Sequence, residues 1–379
     1  MDKKTVRRWY LVHKWTSLVS TLFMLLACIT GLPLIFSEEI DAFGRSLDGS
    51  AAAIATEVSS VISLDQMAAT ARASRPGKHL QLLFRDQGDP GVTSFAIGDT
   101  LEGPISTSEY LRIEESSGNV LSAFRADDGL MGFLFELHAH LLSGLWGTLF
   151  LGLIAIVLLA AILSGVVLYS PFMRHRSFAV IRLDRSRKVR WFDLHNALGI
   201  VLTAWLVVVS VTGIINTWAA PITNYYMLND MQRIVAQDTT PIPTSYTKWS
   251  SLDAAMRVAR QAVDAGEMLF VALPGSELTS DRHYVVVFIG NTPLTSRLYY
   301  GAVINAHTGE LISAPALPVY MAGALLSQPL HFGDYGGLPL KLIWLAFGVG
   351  SIVLLWSGLV LWWHSNRDMP RIVAVRGAA

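Results

Sequence analysis

Four histidines in this chain have the type and spacing to bind metal. His13 and His195 each open a long apolar run, HKWTSLVSTLFMLLACITG and HNALGIVLTAWLVVVSVTG, and in both a Thr-Gly dipeptide follows 17 residues later, at Thr30-Gly31 and Thr212-Gly213. His138 and His331 open HAHLLSGLWG and HFGDYGGLPL, and a Ser-Gly dipeptide lies 26 residues after each, at Ser164-Gly165 and Ser357-Gly358. A neutral imidazole offers one lone pair to a metal and one N–H to an acceptor. Two imidazoles brought together from different helices can therefore clamp one metal ion from opposite sides.

The elements that would position them read as one half written twice: histidine, helix, soluble insert, histidine, helix. Between the histidines, SLDQMAATAR at Ser63 matches SLDAAMRVAR at Ser251, and SSGNVLSA around Gly118 matches HTGELISA around Gly309. The offset between halves grows as 182, 188, 191 and 193, the drift that a few short insertions leave in a duplicated unit. This register pairs His138, not His140, with His331.

Uncharged stretches at 15–37, 137–173, 194–229 and 342–366 each exceed the roughly 20 residues that cross about 30 Å of hydrocarbon. Four transmembrane helices are expected, since only helices and closed barrels satisfy their backbone in lipid. Residues 1–14, 171–193 and 365–379 hold 15 of the 29 Lys and Arg against only Asp2, Asp184, Asp193 and Asp368. The positive-inside bias puts these segments in the cytoplasm, so the zero net charge conceals +11 inside and −11 outside. The expected order is an N-terminus and first span at 1–37, an outer insert at 38–132, a second span at 133–171, a basic loop at 172–193, a third span at 194–219, an outer insert at 220–330, a histidine and fourth span at 331–364, and a tail at 365–379.

Each insert is about 100 residues, enough for a small domain. A Ser-Leu-Asp helix cap followed by β-branched runs such as HYVVVFIG predicts an α+β fold for both. The fold class expected is thus an integral-membrane, all-α four-helix bundle with a two-fold internal repeat and two periplasmic α+β inserts. The first run is too long for a signal peptide and lacks a small-x-small cleavage site, so it is expected to stay as an anchor. Cys28 is the single cysteine, which excludes an internal disulfide, covalent c-type haem attachment and iron–sulfur ligation.

This topology gives each face of the bundle two histidines from two helices: His13 and His195 inside, His138 and His331 outside. That is the requirement for two bis-histidine b-type haems, whose filled axial positions suit electron transfer. Small residues after His13 (Ser17, Ser20, Thr21, Ala27, Gly31) and after His195 (Gly199, Thr203, Gly213) would admit a flat ring or a neighbouring helix equally well. His364 is a reserve ligand without support from the repeat, and His140 turns about 200° from His138 on a helix. His79, His175, His283 and His307 read as solvated.

The blocks HKW, ELHAHLLSGLWG, DLHNALG and PLHFGDYGGLPLK, in this order with these spans, resemble the PepSY-associated transmembrane family over essentially the whole chain, and within it the inner-membrane ferric-siderophore reductases of the FoxB type. The resemblance implies PepSY-like inserts and a di-haem protein of the bacterial inner membrane that reduces siderophore-bound Fe(III) in the periplasm, with His13, His138, His195 and His331 as haem-iron ligands. No Gly-x-Gly-x-x-Gly or Walker pattern is present, so the electron donor is expected to be separate, a quinol or a cytoplasmic flavoreductase. Ferric siderophore and membrane lipid are the expected partners, and nucleic acid is not. The rival readings are a membrane-anchored PepSY module that binds or regulates an extracytoplasmic protease, and an iron-related transporter, for which only Asn216 and Pro33 near span ends speak.

Overall fold

A computed structural model describes residues 1–47, 61–85, 89–173, 178–241, 249–293 and 295–376. The order of elements is α1 (Lys3–Leu34), α2 (Ser37–Leu47), α3 (Leu64–Ser74), β1 (His79–Arg85), β2 (Val92–Gly98), β3 (Glu109–Glu114), β4 (Val120–Arg125), α4 (Gly129–His140), α5 (Gly144–Met173), α6 (Arg187–Thr217), α7 (Ala219–Tyr226), a π-turn (Met227–Met231), α8 (Gln232–Val235), α9 (Leu252–Ala262), β5 (Met268–Ala272), β6 (His283–Ile289), β7 (Tyr299–Asn305), β8 (Leu311–Ser313), α10 (Val319–Phe332) and α11 (Gly337–Arg376). They form two compact units, one of residues Met1–Phe36, Phe133–Trp218 and Ser327–Ala379, the other of Ser37–Gly132 and Ala219–Leu326.

The first unit holds the four helices long and apolar enough to cross a membrane, in α1, α5, α6 and α11. α1 and α6 each pack against both α5 and α11. Exposed tryptophans mark both ends, Trp15 and Trp363 at one, Trp146 and Trp218 at the other, where amphipathic rings suit the headgroup level.

The uncharged run 137–173 is not one helix. α4 stops at His140 because Leu141 and Leu142 take φ of 49° and 54°, and α5 begins at Gly144, itself at φ 54°. Left-handed residues cannot continue a right-handed helix. The same break divides α10 from α11, here at Gly333 (φ 75°) and Gly337 (φ 59°). His138 and His331 therefore lie in the last turns of short helices that precede the spans, not on the spans themselves.

In the second unit the two inserts share a single eight-stranded sheet of order β4-β3-β2-β1-β5-β6-β7-β8, antiparallel throughout. Its centre is the pairing of β1 with β5, Leu82 with Ala272, Leu83 with Val271 and Phe84 with Phe270. Neither insert closes a core alone, because both faces of these strands are covered. Leu83, Phe95, Val286 and Phe288 face Met67 and Ala71 of α3 and Ala255 and Ala259 of α9, while Leu82, Val285 and Val287 face Met231 and Ile234. The two-residue period of a strand explains this split.

The Ser-Leu-Asp caps form as the sequence predicts. Ser63 accepts from the Gln66 N–H at 3.1 Å with Gln66 returning the bond at 3.2 Å, and Ser251 accepts from the Ala254 N–H at 3.2 Å. Their aspartates do something non-local. Asp65 accepts from the N–H of Leu252 at 2.8 Å, and Asp253 accepts from those of Leu64 and Asp65 at 3.0 and 3.1 Å. Each carboxylate closes the first turn of the other helix, worth about 1 kcal/mol per capped end with a favourable dipole contribution.

Candidate functional site: two imidazole pairs

Each of the four spans carries one socket for a histidine from another helix. His13 of α1 reaches α5, its Nδ1 donating to the Ala161 carbonyl at 2.9 Å with Ser164 Oγ at 3.3 Å. His195 of α6 reaches α11, its Nδ1 donating to Ser357 Oγ at 2.9 Å and the Leu354 carbonyl at 3.3 Å. His138 of α4 reaches α1, its Nδ1 donating to Thr30 Oγ1 at 3.0 Å, and its ring also bonds the Ala27 backbone. His331 of α10 reaches α6, its Nδ1 donating to the Val209 carbonyl at 3.1 Å and Thr212 Oγ1 at 3.2 Å.

The socket has one chemistry. The hydroxyl of Ser164, Ser357, Thr30 or Thr212 donates to a carbonyl three or four residues earlier on its own helix, leaving its oxygen to accept from the imidazole. A carbonyl only accepts, so Nδ1 carries the proton and Nε2 keeps its lone pair, the tautomer a metal needs. The glycine that follows makes room for the ring. A Cβ at Gly31, Gly165, Gly213 or Gly358 would meet the imidazole Cε1 at 2.8, 3.0, 3.2 or 3.4 Å.

Held this way, His13 meets His195 with ring centres 6.2 Å apart and planes at 68°, and His138 meets His331 at 6.3 Å and 64°. A ligated metal sits about 2.0–2.1 Å from an imidazole nitrogen, and that nitrogen about 1.1 Å from its ring centre, so two trans imidazoles on one ion place their ring centres about 6.3 Å apart. Both pairs match this separation. Among the described residues no group of three or more His, Cys, Asp or Glu could hold an ion. The pairs thus suit a metal that brings its remaining ligands with it, as a porphyrin does. The socket for His138 begins 17 residues along α1 from His13, about 25 Å at 1.5 Å per residue.

The remaining histidines stay apart from the pairs. His140 Nδ1 bonds Thr148 Oγ1 at 2.6 Å, and His364 Nδ1 bonds the Val360 carbonyl of its own helix at 2.8 Å. His79 is exposed and His307 half-buried, while His175 lies outside the described residues. His283 is not solvated as its sequence position suggests. It is 3% exposed, its Nε2 donating to Asp238 at 2.9 Å and its Nδ1 accepting from Ser280 at 2.6 Å. Asn305 and the Thr240 N–H complete the shell of Asp238 at 2.8 and 2.9 Å. Burial pushes the pKa of the Asp238 carboxyl up, but the hydrogen bonds from Thr240, His283 and Asn305 outweigh it and lower that pKa to about 2.

Sequence reasoning named the four paired histidines and missed their sockets. The signal was present, because the Thr-Gly and Ser-Gly dipeptides recur at fixed distances from the histidines. Of the small residues expected to line the helices, Gly31 and Gly213 touch imidazole, whereas Ser20, Thr21 and Thr203 bond carbonyls of their own helices.

The sequence pattern of the PepSY-associated TM region matches residues 10–365. A Pseudomonas aeruginosa protein, itself uncharacterized, is 27% identical over 276 residues, which cover 63% of this chain and 65% of that protein.

Proposed function

Because the chain belongs to the family of the PepSY-associated TM region, a family of membrane proteins, we propose that it is a di-haem oxidoreductase of the bacterial inner membrane that reduces ferric siderophore on the outer side. When bound, the two b-type haems supply one-electron transfer across the bilayer, from a quinol or a separate flavoreductase to the Fe(III) of the substrate. His13 and His195 hold one haem, His138 and His331 the other. The observation that carries this reading is the pair of ring separations, 6.2 and 6.3 Å, in imidazoles whose Nδ1 protons are already engaged.

The chain's own residues do the rest. Sockets on neighbouring spans orient each imidazole before any metal arrives, so binding does not have to freeze the rings. With an imidazole on either side, each pair would keep dioxygen off a metal held between them. The four spans shield the path between the pairs from water. The positive-inside count supports a His138–His331 end on the outer side, next to the substrate. A siderophore's hard oxygen donors grip Fe(III) better than Fe(II), so reduction loosens the complex without a general acid or nucleophile. The two halves are proposed to be a duplicated unit, a reading supported by the strand order either side of β1 and β5.

The edge strand β4, with four of its six residues exposed, favours a second reading, in which a peptide adds to the sheet edge of a membrane-anchored PepSY module. That module needs no paired imidazoles. A pyridine haemochrome assay separates the two: two b-type haems per chain are expected, and colourless protein sinks the reductase. In sealed inside-out vesicles with donor outside, a membrane-impermeant ferric siderophore should be reduced only when trapped in the lumen. Reduction from the bulk would place the reactive end on the cytoplasmic side.

A further inference from the structure

Between the two pairs the bundle carries aromatic rings that no histidine socket uses. Trp205 stands on α6, ten residues after His195 and seven before Thr212. Its ring centre lies 5.9 Å from Phe347 and 6.3 Å from Trp344 of α11, both edge to face. Trp344 in turn donates its Nε1 proton to the His331 carbonyl at 3.1 Å. Its ring fits there because Gly333 has no side chain, a Cβ at Gly333 meeting the indole at 2.5 Å. At the other end, Leu354, whose carbonyl accepts from His195 Nδ1 at 3.3 Å, lies seven residues from Phe347 and so on the same face of α11. The path from His195 to His331 is therefore a hydrogen bond, two turns of α11, three touching rings and a second hydrogen bond.

The indole at 205 is an expensive way to fill space. Its buried Nε1–H has no acceptor among the described residues, which costs about 1–3 kcal/mol. At the matching position of the first half, ten residues after His13 and seven before Thr30, Phe23 packs against Phe150 at 5.0 Å with no such group to satisfy. Something other than packing keeps a tryptophan at 205. Tunnelling falls exponentially with distance, and it falls more steeply through aliphatic side chains than through packed π-systems.

We propose that Trp205, Trp344 and Phe347 form the electronic bridge between the two histidine pairs, an inference that rests on the di-haem reading. One electron leaves the iron held by His13 and His195, oxidising it by one unit, and arrives at the iron held by His138 and His331, reducing it by one unit. No proton moves. The rings supply coupling orbitals and end the transfer in the state in which they began it.

Temperature-jump relaxation of half-reduced holoprotein in lipid nanodiscs reads the exchange rate between the two sites directly. Trp205→Leu should slow it about tenfold or more with haem content, absorption spectra and both midpoint potentials unchanged, and Trp344→Leu, which also loses the bond to the His331 carbonyl, should slow it at least as much. Phe23→Leu in the other half should change the rate by less than about twofold. If Trp205→Leu loses a haem, Trp205→Met, whose flexible side chain fills irregular gaps, takes its place in the measurement. Two intact haems with a relaxation rate within about twofold of the parent protein in the Trp205 variant would overturn the bridge while leaving the di-haem reading standing. Parent protein without haem would overturn the reading beneath it.

Discussion

His13 and His195 ride on the spans α1 and α6, each more than 30 residues long, whereas His138 and His331 occupy the last turns of α4 and α10, cut off from the following spans by left-handed residues. Their sockets are alike, but what lies behind each imidazole differs. An imidazole on a span is positioned by every packing contact of that span. An imidazole on a short helix is positioned by its socket and by the break beside it, so those few residues matter more. The difference teaches where each site is vulnerable: the first pair in the bundle, the second in its immediate neighbours.

The largest test of this contrast is removal of a ligand. His138→Ala or His331→Ala should each lower the haemochrome ratio from two haems to one and leave the spectrum of the other pair intact, and His13→Ala or His195→Ala should do the converse. His140→Ala and His364→Ala should keep both haems, since among the described residues neither ring is paired with a second imidazole. A haem lost with His140→Ala would break the pairing of His138 with His331.

Next come the socket glycines, which differ in their clearance. Gly31→Ala would press a methyl against the His138 ring at 2.8 Å and should cost about 1–3 kcal/mol in thermal unfolding, with a shifted spectrum for that haem alone. Gly358→Ala meets the His195 ring at 3.4 Å, an ordinary contact, and should pass nearly unnoticed. Equal effects would show that ring clearance does not control the site.

Removing a socket hydroxyl should do less, because the neighbouring carbonyl still accepts from Nδ1. Thr212→Val and Ser357→Ala each lose a bond worth about 0.5–1.5 kcal/mol. Transfer of haem to apomyoglobin should be faster in both, and more so in Thr212→Val, whose imidazole has no span of its own to hold it. The smallest effect is expected at the break itself. Leu142→Asn puts a residue that tolerates the left-handed region where an exposed leucine now sits at φ 54°, and should raise the unfolding temperature by the equivalent of about 1 kcal/mol or less. A lower unfolding temperature would mean that the leucine side chain contributes more than its backbone costs.

How much of this was legible in the sequence depended on the range of the interaction. The spans were legible because hydropathy over twenty residues is a local property, and so were the caps at Ser63 and Ser251, whose partners lie three residues away. The histidine pairing was legible only through the repeated spacing. The repeated Thr-Gly and Ser-Gly dipeptides marked the socket residues, but not which histidine each receives, because the neighbour of His13 is Ser164, 151 residues distant, and helix adjacency is not written in any single helix. The break after His140 was hidden because Leu141 and Leu142 carry no turn chemistry, whereas Gly333 and Gly337 do. His283 passed for a loop residue because the carboxylate that buries it comes from Asp238, 45 residues earlier.

The exchange of caps between Asp65 and Asp253, together with the β1–β5 pairing, constrains how the protein is made. Both inserts emerge on the same side of the membrane, but the second cannot emerge until the third span has been threaded. Until then the first insert waits with half a sheet, an open β1 edge and a helix whose end lacks its carboxylate. Maturation is therefore a late, single event rather than two early ones, and a chain stalled after the second span presents a bare strand to any chaperone or protease on that side. The assembly of the sheet unit becomes a checkpoint on whether all four long apolar helices have been inserted.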